Sequence, residues 1–196
     1  MQHTNDKEIR KAIHKKLLRK YHNCEETIVI DELGVEHGRN RIDIAVLNGL
    51  LHGYEIKSSL DTLNRLGAQI ESFAKCFEKL TLIVAPNHLE TTLEEVPSWI
   101  GVIEASKGSR GAIHFKSVRN PKINPNLNVF YMSHLLWKPE AISLLENKGV
   151  SLKELKGSRK NLYTLIAEKY DVRGLTEEIK RCFFSRSNWR VLLQHV

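Results

Sequence analysis

Two apolar segments joined by an Asn-Gly turn constrain the fold of this chain more than any other feature. The segments 41–47 and 50–58 flank Asn48-Gly49, and this residue pair is a strong predictor of a β-hairpin. A helical pattern follows at 61–78, and a buried strand at 80–85,. A hairpin that continues through a helix into a further strand predicts a mixed sheet with helices on its faces.

The remaining segments extend this sheet and then give way to helices. Apolar spacing predicts a helix at 6–21 with a capping box at Asn5 and Glu8, strands at 26–35, 100–105 and 112–118, and a short helix at 88–95,. Beyond residue 128 the patterns predict only helices, at about 129–136, 139–148, 151–169 and 175–184. We therefore divide the chain into a core at 1–119, a linker rich in asparagine and proline at 120–128, and a helical subdomain at 129–196,.

Charge is distributed unevenly along the chain. The formal net charge is +7, of which residues 1–119 carry +1 and residues 120–196 carry +6. A basic module attracts polyanions, and phosphate contacts dominate nucleic-acid affinity. The helical subdomain is therefore either a nucleic-acid-binding surface or a solvated basic face.

Cysteine content and hydropathy bear on the compartment and exclude some classes of function. Cys24, Cys76 and Cys182 are scattered without CxxC spacing, which predicts free thiols in a reducing cytoplasm. The longest apolar run, 80–85, is too short to cross a bilayer, so we expect a cytoplasmic protein with no membrane partner. A glycine-rich phosphate loop is absent, as are paired His or Cys ligands with zinc spacing, which argues against P-loop hydrolysis and a zinc centre.

Three charged residues on the hairpin, Asp43, Glu55 and Lys57, are the candidates for a chemical site. Glu55 and Lys57 point to one face of their strand because side chains alternate. A two-residue loop at Asn48-Gly49 would leave Asp43 on the opposite face, whereas a three-residue loop, or a bulge at Gly53, would bring Asp43 opposite Glu55. A site that Asp43 and Glu55 share requires this second pairing.

Given that pairing, the residue types fit phosphodiester hydrolysis. Mg²⁺ prefers oxygen ligands and keeps several waters, and Asp43, Glu55 and the carbonyl of Ile56 could supply part of its shell. A bound metal would polarise the phosphate and acidify a water, while Lys57 could orient that water or counter the developing charge. The alternative is that these residues are exposed polar positions of an amphipathic hairpin, which their apolar flanks disfavour.

An acid on one strand, followed by acid-x-Lys on the next, resembles the signature of the PD-(D/E)xK nucleases. Asp43 and Glu55-Ile56-Lys57 match it, although Ile42 stands where the signature has proline. The helix and strand order of residues 6–85 also matches the α-β-β-β-α-β core of that superfamily, and the segment 31–45 resembles a small bacterial family within it. The resemblance implies an α/β fold with a restriction-endonuclease-like mixed sheet flanked by helices; here an all-helical C-terminal extension follows.

The resemblance also implies accessory residues. Glu8 matches in position the first-helix acid of many relatives, and the alternative is a helix-capping residue. Gln69 with Phe73 is similar to the Gln-x-x-x-Tyr element of RecB-like nucleases, and the alternative is a residue at the edge of an apolar helix face. From the strand pattern itself, Glu32 is placed on the inward face with Ile28 and Ile30. We expect Gln69 to support catalysis, and Glu32 or Glu8 to complete the metal shell.

Basic residues near the hairpin and in the tail are candidates for phosphate contacts. They are Arg39, Arg41, Lys156, Arg159 and Lys160. Tail cations alternate with aromatic residues as far as Trp189 and Arg190, which suits either a helix-turn-helix-like DNA grip or a helical cap with an aromatic core.

The sequence therefore predicts a Mg²⁺-dependent deoxyribonuclease, with Mn²⁺ as a substitute metal. Asp43 and Glu55 are the expected metal ligands and Lys57 the expected catalytic cation. DNA is the expected partner, and a homodimer is compatible with the sequence. The alternatives are a nucleic-acid-binding module that does not cut, and an interaction protein in a repair or mobile-element assembly.

Overall fold

A computed structural model describes residues 3–186, in which six strands form one sheet. The strands are β1 (Ile28–Val35), β2 (Asn40–Leu47), β3 (Leu51–Lys57), β4 (Lys79–Val84), β5 (Gly101–Lys107) and β6 (Ile113–Arg119). They lie in chain order across the sheet. Strands β1, β2 and β3 are antiparallel, β3, β4 and β5 are parallel, and β6 is antiparallel to β5. The mixed sheet expected from the hairpin and the following helix is confirmed.

The helices lie near the predicted segments. They are α1 (Asp6–Ala12), α2 (Arg19–His22), α3 (Leu66–Ala74), α4 (Leu89–Glu95), α5 (Val129–Met132), α6 (Lys138–Glu146), α7 (Leu152–Leu155), α8 (Arg159–Lys169) and α9 (Val172–Ser185). A π-helical turn, Ile13–Leu17, connects α1 to α2. The Asn5 side chain caps α1 by accepting a hydrogen bond from the backbone N–H of Glu8,.

Helix α3 is shorter than the predicted segment 61–78. Its start is delayed because Asp61 accepts hydrogen bonds from the backbone N–H and hydroxyl of Ser58, and this local turn competes with helix formation. Near its end, the Asn124 side chain donates to the carbonyls of Ala74 and Phe77. The segment 120–128 contains no helix or strand, yet it contributes this contact to the core.

Two apolar layers cover the sheet. Helix α1 packs its buried Ile9, with Ile13 of the π-helical turn, against one face. On the other face, α3 and the C-terminal helices share one continuous cluster in which Phe77 lies with Tyr163 and Leu175. The C-terminal helices are therefore part of the main core. The predicted tail residues Trp189 and Arg190 lie outside the described residues.

No helix within residues 3–186 is both long enough and apolar enough to span a bilayer.

Candidate active site

The loop between β2 and β3 sets the position of the predicted acids. Leu47 pairs with Leu51, so the loop contains three residues, 48–50, and its Gly49 adopts a left-handed φ of 69°. Ile44 pairs with Tyr54, and continuing this register by one residue places Asp43 opposite Glu55. Either a three-residue loop or a bulge would have permitted a shared site, and the structure has the three-residue loop.

Gly53 forms no bulge in this hairpin. It pairs regularly with Ala45, and a Cβ at this position would approach Phe77 and Leu80 to 3.1 Å. The reason for glycine here is close packing against β4 and the segment after α3, so the suggestion of a bulge at Gly53 was wrong.

Glu55, Lys57 and Gln69 form a closed triangle of hydrogen bonds beneath α3. The Lys57 ammonium donates to Glu55 Oε1 at 2.8 Å and to Gln69 Oε1 at 2.9 Å. The Gln69 amide donates to Glu55 Oε1 at 2.7 Å. Glu55 is 3% exposed and Lys57 is 8% exposed, so the structure brings these three predicted residues together in a buried cluster.

The two carboxylate oxygens of Glu55 differ in their contacts. Glu55 Oε2 is buried, and no protein donor in the described part of the chain reaches it. A buried polar atom without a partner costs free energy, and each such atom calls for an explanation, such as a catalytic role or an ion.

Asp43 reaches from β2 across to β3. Its Oδ2 accepts a hydrogen bond of 2.6 Å from the backbone N–H of Ile56, the residue between Glu55 and Lys57. Its Oδ1 accepts a hydrogen bond of 2.8 Å from the Arg10 guanidinium, which also donates to the Asp43 carbonyl.

Arg10 of α1 belongs to this site, although it was not among the residues predicted from the sequence. Its guanidinium also contacts Glu32 at 2.6 Å and Asp6 at 3.2 Å, so three carboxylates surround one cation. The one sequence signal is the spacing of Asp6 and Arg10, which places them on the same side of a helix. Nothing in that spacing connects α1 to Asp43, because the contact spans 33 residues.

The charges at the site shift one another's protonation. Burial raises the pKa of Glu55 to about 7, and the neighbouring Asp43 adds to this rise despite the opposing effect of Lys57. Burial also raises the pKa of Asp43, against the Ile56 hydrogen bond and the Arg10 charge. Burial alone would lower the pKa of Arg10, but hydrogen bonding to Asp6 and the nearby carboxylates outweigh it and raise that pKa. A carboxyl that titrates near neutrality is typical of functional sites.

Glu32 lies opposite Asp43 but not on the inward face that the strand pattern predicted. Ile28 and Ile30 join the apolar cluster on the α3 side, whereas Glu32 contacts Arg10 on the α1 side. Its φ of 56° explains the difference, because a left-handed residue breaks the alternation of side chains along β1.

Glu8 lies in a separate ion pair. Its carboxylate accepts a hydrogen bond of 2.7 Å from Lys107 at the end of β5, and Lys107 holds the pKa of Glu8 below its usual value. Among residues 3–186, no three acidic, histidine or cysteine side chains are grouped closely enough to hold a metal ion. The expected set of Asp43, Glu55, Glu32 and Glu8 is therefore not assembled as one cage, and Asp43 with Glu55 is the pair that the strands bring together.

The predicted phosphate-binding residues are exposed. Arg39, Arg41, Lys156 and Lys160 lie at the surface, and Arg41 stands 3.7 Å from Glu32. Arg159, at the start of α8, lines a cavity between the sheet and the C-terminal helices.

The fold and this site define a mixed α/β protein with a buried, charged cluster on its central hairpin. The chain belongs to the family described as bacteriophage P4 protein cII, whose model matches residues 1–194. It is similar to protein cII of Enterobacteria phage P4, with 32% identity over 126 residues, or 64% of this chain and 47% of that protein. The chain thus spans about half the length of this curated relative.

A solved structure is also similar to this chain. It is a protein of unknown function from Silicibacter pomeroyi, with a TM-score of 0.42 and 17% identity, covering 72% of this chain and 94% of that one. Neither relative's name states an activity.

Proposed function

We propose that this protein is a metal-dependent nuclease that hydrolyses DNA phosphodiester bonds. The observation that carries the proposal is the buried Oε2 of Glu55, which has no hydrogen-bond partner within residues 3–186 and lies one strand away from Asp43 and beside Lys57. The α-β-β-β-α-β order of the first 84 residues, with Asp43 and Glu55-x-Lys57 on paired strands, supports assignment to the restriction-endonuclease-like fold.

The donor atoms at the site fit Mg²⁺ or Mn²⁺. Glu55 Oε2, the Asp43 carboxylate and the carbonyl of Ile56 are hard oxygen donors, and Mg²⁺ is commonly held by one or two carboxylates with waters completing its shell. When bound, such a metal would polarise the scissile phosphate and lower the pKa of a bound water. A two-carboxylate site does not require the larger group of acids that the described residues lack.

The protein side chains would position the reacting groups. Gln69 holds the Glu55 carboxylate and the Lys57 ammonium in one geometry. The Lys57 ammonium could then orient the attacking water and neutralise charge that develops on the phosphate. The Arg10 charge opposes the rise in the pKa of Asp43 that burial causes, so it favours the ionised carboxylate that a metal would need as a ligand.

A second candidate is a nucleic-acid-binding protein that does not cut. The specific observation in its favour is the Arg10 guanidinium, which already neutralises Asp43, Glu32 and Asp6. If this ion-pair network is permanent, Asp43 has no free coordination capacity and the cluster is structural.

Cleavage assays distinguish the two candidates. We expect the purified chain to cut at least one of supercoiled, linear, branched or single-stranded DNA when Mg²⁺ or Mn²⁺ is added, and EDTA to stop it. Asp43→Asn and Lys57→Met should each lower the rate by ~100-fold or more, because the first removes a metal ligand and the second removes a cation that counters the developing charge.

Matched variants control for changes in charge and folding. Asp31→Asn removes an exposed carboxylate from the neighbouring strand, and Lys79→Met removes an ammonium from β4; both should leave cleavage unchanged. DNA that is bound but intact with either metal would reject the nuclease and support the second candidate. Cleavage that survives both Asp43→Asn and Lys57→Met would reject the site.

A further inference from the structure

A cavity of about 290 Å³ lies where the β1–β2 connection meets the C-terminal helices. We name it the aromatic–arginine cleft. Six of its lining residues are aromatic or basic: His37, His134, Trp137, Arg159, Tyr163 and Arg186. They come from four separate parts of the chain, so only the folded protein assembles them. They are also distinct from the Asp43, Glu55 and Lys57 cluster.

Three rings form one wall of the cleft. The His37 and His134 rings stack with centroids 4.4 Å apart, and His134 lies 4.9 Å from the Tyr163 ring. The Tyr163 hydroxyl donates to the carbonyl of Leu136, which fixes that ring in place. Burial lowers the pKa of His134 to about 4, so its imidazole is neutral under physiological conditions.

Trp137 adds a large exposed ring. The Arg186 guanidinium lies 4.3 Å from its centroid, yet 53% of Trp137 remains exposed. Exposed tryptophan is uncommon away from binding surfaces, because its ring has a large apolar area to bury. The ring is thus held by a cation and still has surface available for stacking.

Arg159 contributes a positive charge to the lining of the cleft. It is exposed, and it makes no hydrogen bond or ion pair with any described residue. It occupies the first turn of the 11-residue helix α8, where the helix dipole also favours an anion. A phosphate bound here would contact the Arg159 guanidinium and would also be stabilised by the dipole of α8.

The backbone is strained where it presents His37. Glu36 and His37 have φ values of 48° and 61°, a conformation that L-residues adopt at a cost in free energy. The left-handed turn carries the His37 ring over His134, and strained residues of this kind cluster at ligand clamps.

We propose that the aromatic–arginine cleft binds an unpaired nucleotide of a DNA strand. The base would stack on the exposed rings, and Arg159 would hold the adjacent phosphate. Stacking platforms combined with cations are how proteins bind single strands with little sequence preference. The volume is near the lower end of the roughly 300–1,000 Å³ range of small-ligand sites, so it suits one nucleoside-sized group. This binding does not depend on the proposed cleavage.

The test measures binding in EDTA, where no metal-dependent cleavage can occur. Fluorescence anisotropy of a labelled dT decamer would report its affinity for the full chain, with a blunt duplex of equal length and dTMP as competitors. We expect the decamer to bind at least about tenfold more tightly than either competitor. Trp137→Ala and Arg159→Ala should each weaken decamer binding by about tenfold.

Two further variants separate specific contacts from general charge and folding effects. Trp137→Phe keeps a stacking surface and should retain most of the affinity. Arg173→Ala removes an exposed arginine that does not line the cleft, and it should weaken binding less than twofold. Circular dichroism and melting curves would establish that each variant folds.

Several results would overturn the proposal. One is an equal loss of decamer affinity in Arg159→Ala and Arg173→Ala, and another is unchanged decamer affinity in folded Trp137→Ala. The proposal would also fail if the duplex bound as tightly as the decamer, or if the decamer did not bind. If dTMP bound as tightly as the decamer, the cleft would belong to a free nucleotide instead of a strand. Because metal is absent throughout, a failed cleavage assay and a failed binding assay remain distinguishable.

Discussion

At Glu55, burial and the nearby charges oppose one another. Desolvation disfavours its carboxylate, whereas Lys57 and Gln69 stabilise it through Oε1 alone,. The result is a carboxyl that can gain or lose a proton near neutral pH. A metal at Oε2 would favour the ionised form, which links metal binding to proton release.

This balance predicts how stability varies with pH. The pKa of Glu55 rises from an ordinary 4.5 to about 7 on folding, so the folded state binds the proton more tightly than the unfolded state. The stabilising contribution is present below pH about 4.5 and is lost as pH rises through about 7. The measured quantity is the free energy of unfolding of the unaltered protein minus that of Glu55→Gln, in metal-free buffer. This difference should fall by roughly 2–3 kcal/mol between pH about 4.5 and about 7,.

Urea denaturation at pH 4.5, 6 and 8 measures this difference,. Glu94→Gln is the matched control, because Glu94 is exposed on α4, and it should track the unaltered protein at each pH. A constant difference between the unaltered protein and Glu55→Gln across this range would show that Glu55 stays ionised.

The relative positions of the site residues were predictable where spacing along the sequence determines them. Asp43, Glu55 and Lys57 lie within 15 residues and on two paired strands, so alternation and loop length fix their relation,. Arg10 could not be found this way, because its contact with Asp43 depends on how α1 packs on the sheet. Glu32 was misplaced because its left-handed backbone leaves the strand pattern that the sequence suggests.

At the scale of elements, the hairpin loop and the packing of β3 decide the geometry of the site. Apolar periodicity placed the six strands well, since buried strands have short, bounded patterns. Helix α3 was predicted too long because the Ser58–Asp61 turn is made by side chains that compete with the helix. The residue types of the turn are compatible with a loop of two or of three residues, so the sequence left both alternatives open.

Two glycine substitutions test this packing, with opposite expected signs. Gly53→Ala places a Cβ at 3.1 Å from Phe77 and Leu80, so it should destabilise the protein by about 1–3 kcal/mol through overpacking. Gly67→Ala, in α3, has open space around its Cβ and should stabilise the protein by about 0.5–1 kcal/mol. Thermal and urea unfolding measure both; stabilisation by Gly53→Ala would mean that β3 lies farther from β4.

At the scale of the whole molecule, the C-terminal helices complete the core. The linker prediction at 120–128 describes the local sequence, but composition cannot reveal that the following helices cover one face of the sheet. Leu175 is fully buried in the same cluster as Phe77 and Leu80. Glu78 after α3 accepts hydrogen bonds from the backbone N–H of Leu51 and from the hydroxyl of Thr176. Deleting residues 120–196 would therefore uncover the sheet as well as remove basic charge.

A shared core predicts that the chain unfolds as one cooperative unit. Leu175→Ala should lower the stability of the entire protein by about 2–5 kcal/mol, because the cavity that it leaves lies between the sheet and α9. Far-UV and near-UV circular dichroism should shift together, and calorimetric and van't Hoff enthalpies should agree. Leu152→Ala, at a leucine that is 75% exposed, should change stability by less than about 0.5 kcal/mol. If the C-terminal helices formed a separate unit, Leu175→Ala would shift one of two transitions and leave the other in place.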